Sequence, residues 1–175
     1  MSEKRSYSLG PFTVIPFSYR RENIQRFHEI LELNPDDTCT LCDLACHLDR
    51  YGRRDEAIEE LRRAIERRPE EGALHGMLGA MLTEAGRIEE AIDEELQAIR
   101  FGWDGPHSRL RLGDLLNQVG RRNAARLEWE QALRLALLHQ EQVARSGWPW
   151  WARVLVNISS PARAARTRLA RHPHE

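Results

Sequence analysis

Apolar and small residues return along this chain at an interval of 34 positions. Leucines align as Leu44, Leu78, Leu112 and as Leu48, Leu82, Leu116. Small residues align as Ala45, Gly79, Gly113, as Ala57, Ala91, Ala125, and as Ala64, Ala98, Ala132. Inside each interval the apolar positions fall three and four apart, which writes one face of a helix. Gly52, Gly86 and Gly120 separate one stripe from the next, where a left-handed residue ends a helix. The pattern predicts helix pairs over 37–50 with 54–67, 72–85 with 88–101, and 106–119 with 122 to about 145. Paired helices at this period predict an all-α solenoid, in which small residues of one helix admit close approach of the next and leucines fill the seam.

The ends depart from the period. Residues 1–19 read as an irregular arm, because Phe12, Val14, Ile15, Phe17 and Tyr19 favour strand while Pro11 and Pro16 forbid a regular ladder. From Arg20 to Leu33, Ile24, Phe27, Ile30, Leu31 and Leu33 form a helical stripe, read as a half-repeat that caps the stack. At the other end the last helix outlasts the period through Leu133, Leu135, Leu138 and Val143, with Ser146 and Gly147 as its stop. A segment with Trp148, Pro149, Trp150 and Trp151 follows, read first as a hydrophobic cap and second as a peripheral membrane contact. Ser160 and Pro161 then suit an N-cap and first position of a final basic helix that Pro173 ends.

In the first interval, Leu44, Ala45, Leu48, Gly52, Ala57, Leu61, Ala64 and Pro69 resemble the tetratricopeptide repeat, two antiparallel helices per unit. The resemblance spans 38–139. It departs at Glu95, where the family prefers a large apolar residue, and at Trp103, where it prefers proline; the third unit places Trp129 well and carries Leu137 at the proline position. The organisation it implies is three repeats, 38–71, 72–105 and 106–139, between an N-terminal arm and capping helix (1–37) and a C-terminal helical extension (140–175). The implied function is protein binding without catalysis: a cytoplasmic adaptor or assembly factor that holds a peptide or helix on its concave face and needs no cofactor.

Composition narrows this only a little. Acidic and basic residues nearly balance, 27 against 26, but Arg145, Arg153, Arg163, Arg166, Arg168 and Arg171 near the C-terminus face only Glu175, which leaves the preceding part acidic. Solvated surface is the expectation for that arginine helix, and no nucleic-acid motif accompanies it, so no nucleic-acid partner is expected. Met1 to Tyr19 lacks the apolar stretch of a secretory signal, and no run approaches the roughly 20 residues that span a bilayer; a cytoplasmic location is therefore expected.

The resemblance also places the inner face. Carried over position by position, it comprises Cys39, Cys42, Cys46, Asp49 and Arg50; Ala73, Gly76, Ala80, Thr83 and Glu84; and His107, Leu110, Asp114, Asn117 and Gln118. The expected partner-binding groove is Cys42, Cys46, Arg50, Ala80, Thr83, Glu84, Asp114, Asn117 and Gln118. Chaperone-binding members carry lysine and asparagine where Cys42 and Cys46 stand, which argues against the clamping of an acidic C-terminal tail. Cys39, Cys42 and Cys46 share a stripe about 60° wide on one helix, so a thiol-based metal or redox sensor is the alternative function. His47 faces away from them and His107 lies two repeats off, which leaves no fourth ligand, and packing as small apolar residues is the favoured role. The run from Cys42 to His47 exceeds a haem-attachment motif by one residue and is rejected as one. His75 stands at a core position and is expected to pack with its ring hydrogen-bonded. No Gly-rich phosphate loop or recognised catalytic motif orients a nucleophile and base, and no enzymatic activity is expected.

Overall fold

The structure, a computed structural model, describes residues 17–145 and 161–172. Among them the chain is helical throughout: α1 (Phe17–Leu33), α2 (Thr38–Arg50), α3 (Arg54–Arg67), α4 (Gly72–Glu84), α5 (Ile88–Arg100), α6 (Pro106–Gln118), α7 (Arg122–Arg145) and α8 (Pro161–Arg171). Three antiparallel pairs, α2–α3, α4–α5 and α6–α7, stack in order, with α1 against α2 and α8 against α6 and α7. No helix is long and apolar enough to cross a membrane among the described residues.

Each pair is joined by the same turn. Gly52, Gly86 and Gly120 adopt φ of 74°, 75° and 77°, the left-handed conformation that costs glycine nothing. The next residue then donates back to the helix it has left: Arg53 N to Leu48 O, Arg87 N to Leu82 O and Arg121 N to Leu116 O, each 2.9 Å. This satisfies carbonyls that a helix end otherwise leaves open. Gly102 makes a fourth such turn at φ 87°, with Trp103 N donating to Ala98 O at 2.8 Å. It ends α5 and sets Trp103 in the place where the family pattern has proline. At the start of α2, Asp37 accepts from Cys39 N, Thr40 N and the Thr40 hydroxyl. The hydroxyl does most to hold its carboxyl below the usual range.

The core runs unbroken through the pairs. First helices contribute Leu44, Leu48, Leu78, Leu82, Leu112 and Leu116; second helices contribute Ala57, Ile58, Leu61, Ala91, Ile92, Ala125 and Trp129. Because each pair leaves an apolar side uncovered until the next docks on it, burial rather than helix propensity holds the helices in place. Ion pairs such as Arg53–Glu56 and its repeat equivalent Arg87–Glu90 decorate the outside and add little in water.

Three sequence expectations need correction. Helix α1 begins at Phe17 rather than Arg20, so Phe17 and Tyr19 belong to a helix. Of the α1 stripe, Ile24, Phe27 and Leu31 face the core, whereas Ile30 and Leu33 are exposed. The basic helix α8 is not simply solvated surface. It packs through Ala162 and Ala165, and its Arg168 pairs with Asp114. The arm over 1–16, the tryptophan segment and its cap or membrane reading, and Ser160 and Pro173 lie outside the described residues.

Candidate functional site

Two of the small residues in the period floor narrow gaps between helices. Gly113 on α6 lies under Trp129 of α7: a Cβ there would stand 2.5 Å from two indole atoms. Gly79 on α4 lies under Glu95 of α5, with a Cβ position 2.7 Å from a carboxylate oxygen. In each case a long side chain of the second helix passes its glycine and presents a polar tip to the layer of first helices. Trp129 is buried, and its Nε1–H donates to Asp114 Oδ1 at 3.1 Å. Glu95 is wholly buried, and its Oε1 accepts from the Arg111 Nε–H of α6. Burial pushes the Glu95 carboxyl up against the opposing pull of Arg111. Glu95 Oε2 has no hydrogen-bond partner, so this side chain stores a cost that Arg111 only partly offsets.

Both polar tips are tied to the first-helix face. Arg111 also donates through Nη2 to Gly76 O on α4 at 3.2 Å, bridging two neighbouring units. Asp114 accepts a two-pronged contact from α8, Arg168 Nε at 2.5 Å and Nη2 at 2.6 Å, and this pairing raises the Arg168 pKa. Between these ion pairs lies a cavity of about 470 Å³ whose walls come from α4, α6 and α8. Thr83, Glu84, His107, Gln118 and both arginines give it polar edges, while Leu110, Leu115, Pro161 and Ala164 give it an apolar wall. An apolar wall with a few placed polar groups is the composition of a small recognition site.

Of the nine expected groove residues, the cavity gathers Thr83, Glu84, Asp114 and Gln118. Cys42, Cys46, Arg50, Ala80 and Asn117 do not line it. Cys46 Sγ lies 3.9 Å from Met77 Sδ, which ties α2 to α4. Gly76 corrects the sequence reading in a different way. It is buried beneath Trp103, whose ring atoms stand 2.8 and 2.9 Å from where its Cβ would be, so it is a packing surface rather than open groove.

The cysteine stripe is present but quiet. Cys39 is exposed, Cys42 and Cys46 are partly covered, and all three are free thiols. Burial and then the neighbouring Cys46 and Cys39 thiols push Cys42 up to about 11, and burial raises Cys46 as well. A thiol held protonated at neutral pH is a poor nucleophile and a poor ligand. His47 packs between Phe27 and Tyr51, and its Nδ1 lies 2.9 Å from Asp43 O, away from the thiols. Among the described residues no group of three or more His, Cys, Asp or Glu is arranged to hold a metal ion. His75 is buried, stacked on Phe101, with Nδ1 2.7 Å from Glu94 Oε2 and Nε2 2.9 Å from Pro69 O. It is hydrogen-bonded core, as its position suggested.

Sequence reasoning missed Arg111 and Arg168. Arg111 had a signal, an acid at the core position of the preceding unit that needed a counter-ion. Arg168 had only its place in a run of arginines.

Helix pairs at one period, closed by one glycine turn and packed through one alanine and leucine register, define an α-solenoid of helix–turn–helix repeats. The family model for the tetratricopeptide repeat matches residues 42–106, and this part of the chain carries that repeat. No curated protein matches its sequence. Several solved structures share the fold. A crystal structure of MamA is 17% identical, covers 88% of this chain and 92% of its own, and superposes with a TM-score of 0.59. MamA from Desulfovibrio magneticus RS-1 is 13% identical, with coverage of 74% and 70% and a TM-score of 0.58. YrrB, described as a TPR protein with an unusual peptide-binding site, is 19% identical, with coverage of 67% and 61% and a TM-score of 0.60. At these identities the likeness is one of fold.

Proposed function

We propose that this chain is a non-enzymatic adaptor or assembly factor that docks a peptide or helix of another protein on its first-helix face. The units 38–71, 72–105 and 106–139 supply the surface, and 1–37 and 140–175 flank it. The observation that carries the reading is the cavity walled by α4, α6 and α8, which sets an apolar wall beside polar edges on the first-helix face. Rigid, preformed repeats lower the ordering cost of binding, so an extended ligand can meet several units at once. The peptide-binding description of YrrB supports the reading by analogy of fold alone. A cytoplasmic setting belongs to the proposal because three free thiols on one helix suit a reducing compartment.

The test compares wild type with Ala80→Arg, a position on the face that is not fully buried, after circular dichroism shows equal helicity. Affinity capture from native extract should lose a specific protein in the variant. A capture pattern identical in both proteins would sink the assignment of this face.

A further inference from the structure

We propose that the cavity walled by α4, α6 and α8 takes a basic side chain, lysine or arginine, from an extended segment of the partner protein, and that Glu84 is the carboxylate that receives it. The inference rests on the first-helix face being the docking surface, and it adds the charge and shape of the partner.

The charged groups that line the cavity decide the sign. They are Glu84, Arg111, Asp114 and Arg168. All but Glu84 are already engaged. Arg111 donates to Glu95 through Nε and to Gly76 O through Nη2 at 3.2 Å. Arg168 places Nε and Nη2 on the two oxygens of Asp114 at 2.5 and 2.6 Å, and its Nη1 on Ala164 O at 3.3 Å. Each guanidinium therefore faces a carboxylate, which cancels most of its pull on an incoming anion. Glu84 differs: among the described residues its carboxylate has neither an ion pair nor a hydrogen bond. Arg54 reaches the same helix end, but it donates to the backbone Glu84 O at 3.0 Å and pairs with Asp49 at 2.6 Å, so its charge is met elsewhere. What remains uncompensated is one carboxylate, and its complement on a docking face is a cation. The sign is opposite to that of the lysine-and-asparagine clamp whose places Cys42 and Cys46 take.

The rest of the cavity suits a long basic side chain. Leu110, Leu115, Pro161 and Ala164 offer an apolar wall along which the methylene stem of lysine or arginine can lie while its charged head stays near water. Glu84 is exposed at the C-terminal end of α4, which keeps that head hydrated. Gln118 stands at the equivalent end of α6, and its side chain has no hydrogen bond among the described residues, so its amide oxygen can accept from the same head. A second cavity of about 270 Å³, at the turn between α5 and α6, shares His107 with the first and is bordered by the half-exposed Trp103. A segment seated in the first cavity can continue past His107 onto that indole, which makes an extended peptide rather than an isolated cation the occupant.

The probe is a set of octapeptide pools with degenerate flanks, in which one central position is fixed in turn as lysine, arginine, glutamine or glutamate, offered to the full chain at physiological ionic strength. An ion pair that stays partly in water sets the scale, so wild type should retain the lysine and arginine pools about three- to fivefold over the glutamine pool and should not enrich the glutamate pool. Glu84→Lys should erase that preference. Glu66→Lys changes the net charge by the same amount on α3, which does not wall the cavity, and should preserve it. Both positions lie in the last turn of a helix, where a cation is favoured, so both variants should keep wild-type helicity by circular dichroism. If Glu84→Lys loses helicity, the neutral Glu84→Gln takes its place and should likewise lose the preference for basic pools. No preference in wild type, a preference for glutamate, a preference that survives the change at Glu84, or one that falls equally with Glu66→Lys overturns the inference. Absence of the preference alongside Ala80-dependent capture ends this inference alone; failure of both ends the docking reading too.

Discussion

The gaps over Gly79 and Gly113 occupy the same place in successive repeats and are filled by different chemistry. In the second repeat a wholly buried carboxylate, Glu95, passes the glycine and depends on one arginine, with one oxygen left unpartnered. In the third, an indole passes the glycine and uses its only donor on an acid that stays about one-third exposed. The repeat register thus decides which side chains meet, while the residue placed there decides whether the contact is stable in itself or hostage to a partner. Glu95 is the hostage. Trp129 fills its gap with apolar volume and merely orients Asp114.

The sharpest way to break this comparison is to empty the third gap. Trp129→Ala removes a buried aromatic that spans the α6–α7 interface and should cost about 3–5 kcal/mol in chemical denaturation. A loss below about 1 kcal/mol would show that the third repeat does not depend on its indole. Arg111→Ala probes the second gap and should cost about 2–4 kcal/mol at neutral pH, since it strands a buried carboxylate. This loss should depend on pH. Burial raises the folded-state pKa of Glu95, so its protonated form is favoured in the native protein; that contribution is present in acid and is lost as pH rises through the raised value. Removing Arg111 takes away the one pull in the other direction, so the penalty should grow from acid to neutral pH. A penalty that stays flat over that range would mean that Glu95 is not the group being stranded.

Much of this architecture was legible before any coordinates. The helix pairs fall where the stripes put them, because a glycine at φ near 75° and leucines one turn apart are local requirements that a sequence states directly. The small residues at positions 79 and 113 were legible as close approaches, but their occupants were not equally so. Trp129 matches the family pattern, whereas Glu95 stood out as a misfit whose answer, Arg111, lies 16 residues away on the next unit. The Asp114–Arg168 pair spans 54 residues and crosses the end of the period, so no repeat register could have set it. Gly76 looked like open groove because the family pattern expects proline where Trp103 now covers it.

A smaller effect separates the two glycines themselves. Gly113→Ala drives a methyl to within 2.5 Å of a buried ring and 3.0 Å of the Ala125 carbonyl, neither of which yields readily, and should cost about 1–3 kcal/mol. At Gly79→Ala the three atoms nearest the new methyl all belong to the Glu95 side chain, whose carboxylate end can rotate. Part of its cost is returned by the roughly 1 kcal/mol that alanine gains over glycine inside a helix. Thermal or denaturant unfolding should therefore rank Gly113→Ala as the worse of the two, and the reverse order would mean that the Glu95–Arg111 pair is the more rigid filling.

The smallest loss is expected from Arg168→Ala. It resembles Arg111→Ala in that each removes a guanidinium from a carboxylate tied to a glycine gap. The physical situations differ. When Arg111 goes, Glu95 has neither water nor a second donor, but when Arg168 goes, Asp114 keeps the Trp129 N–H and gains solvent on a side already one-third open. A half-solvated pair of this kind contributes no more than about 1 kcal/mol, and salt screens what remains. Denaturation of Arg168→Ala at low and high salt should show a loss within that bound that shrinks as salt is added. A salt-independent loss above about 2 kcal/mol would put the two arginines on the same footing. Asp114 would then be a carboxylate as dependent on its partner as Glu95, and α8 would be as integral to the third repeat as α6 is to the second.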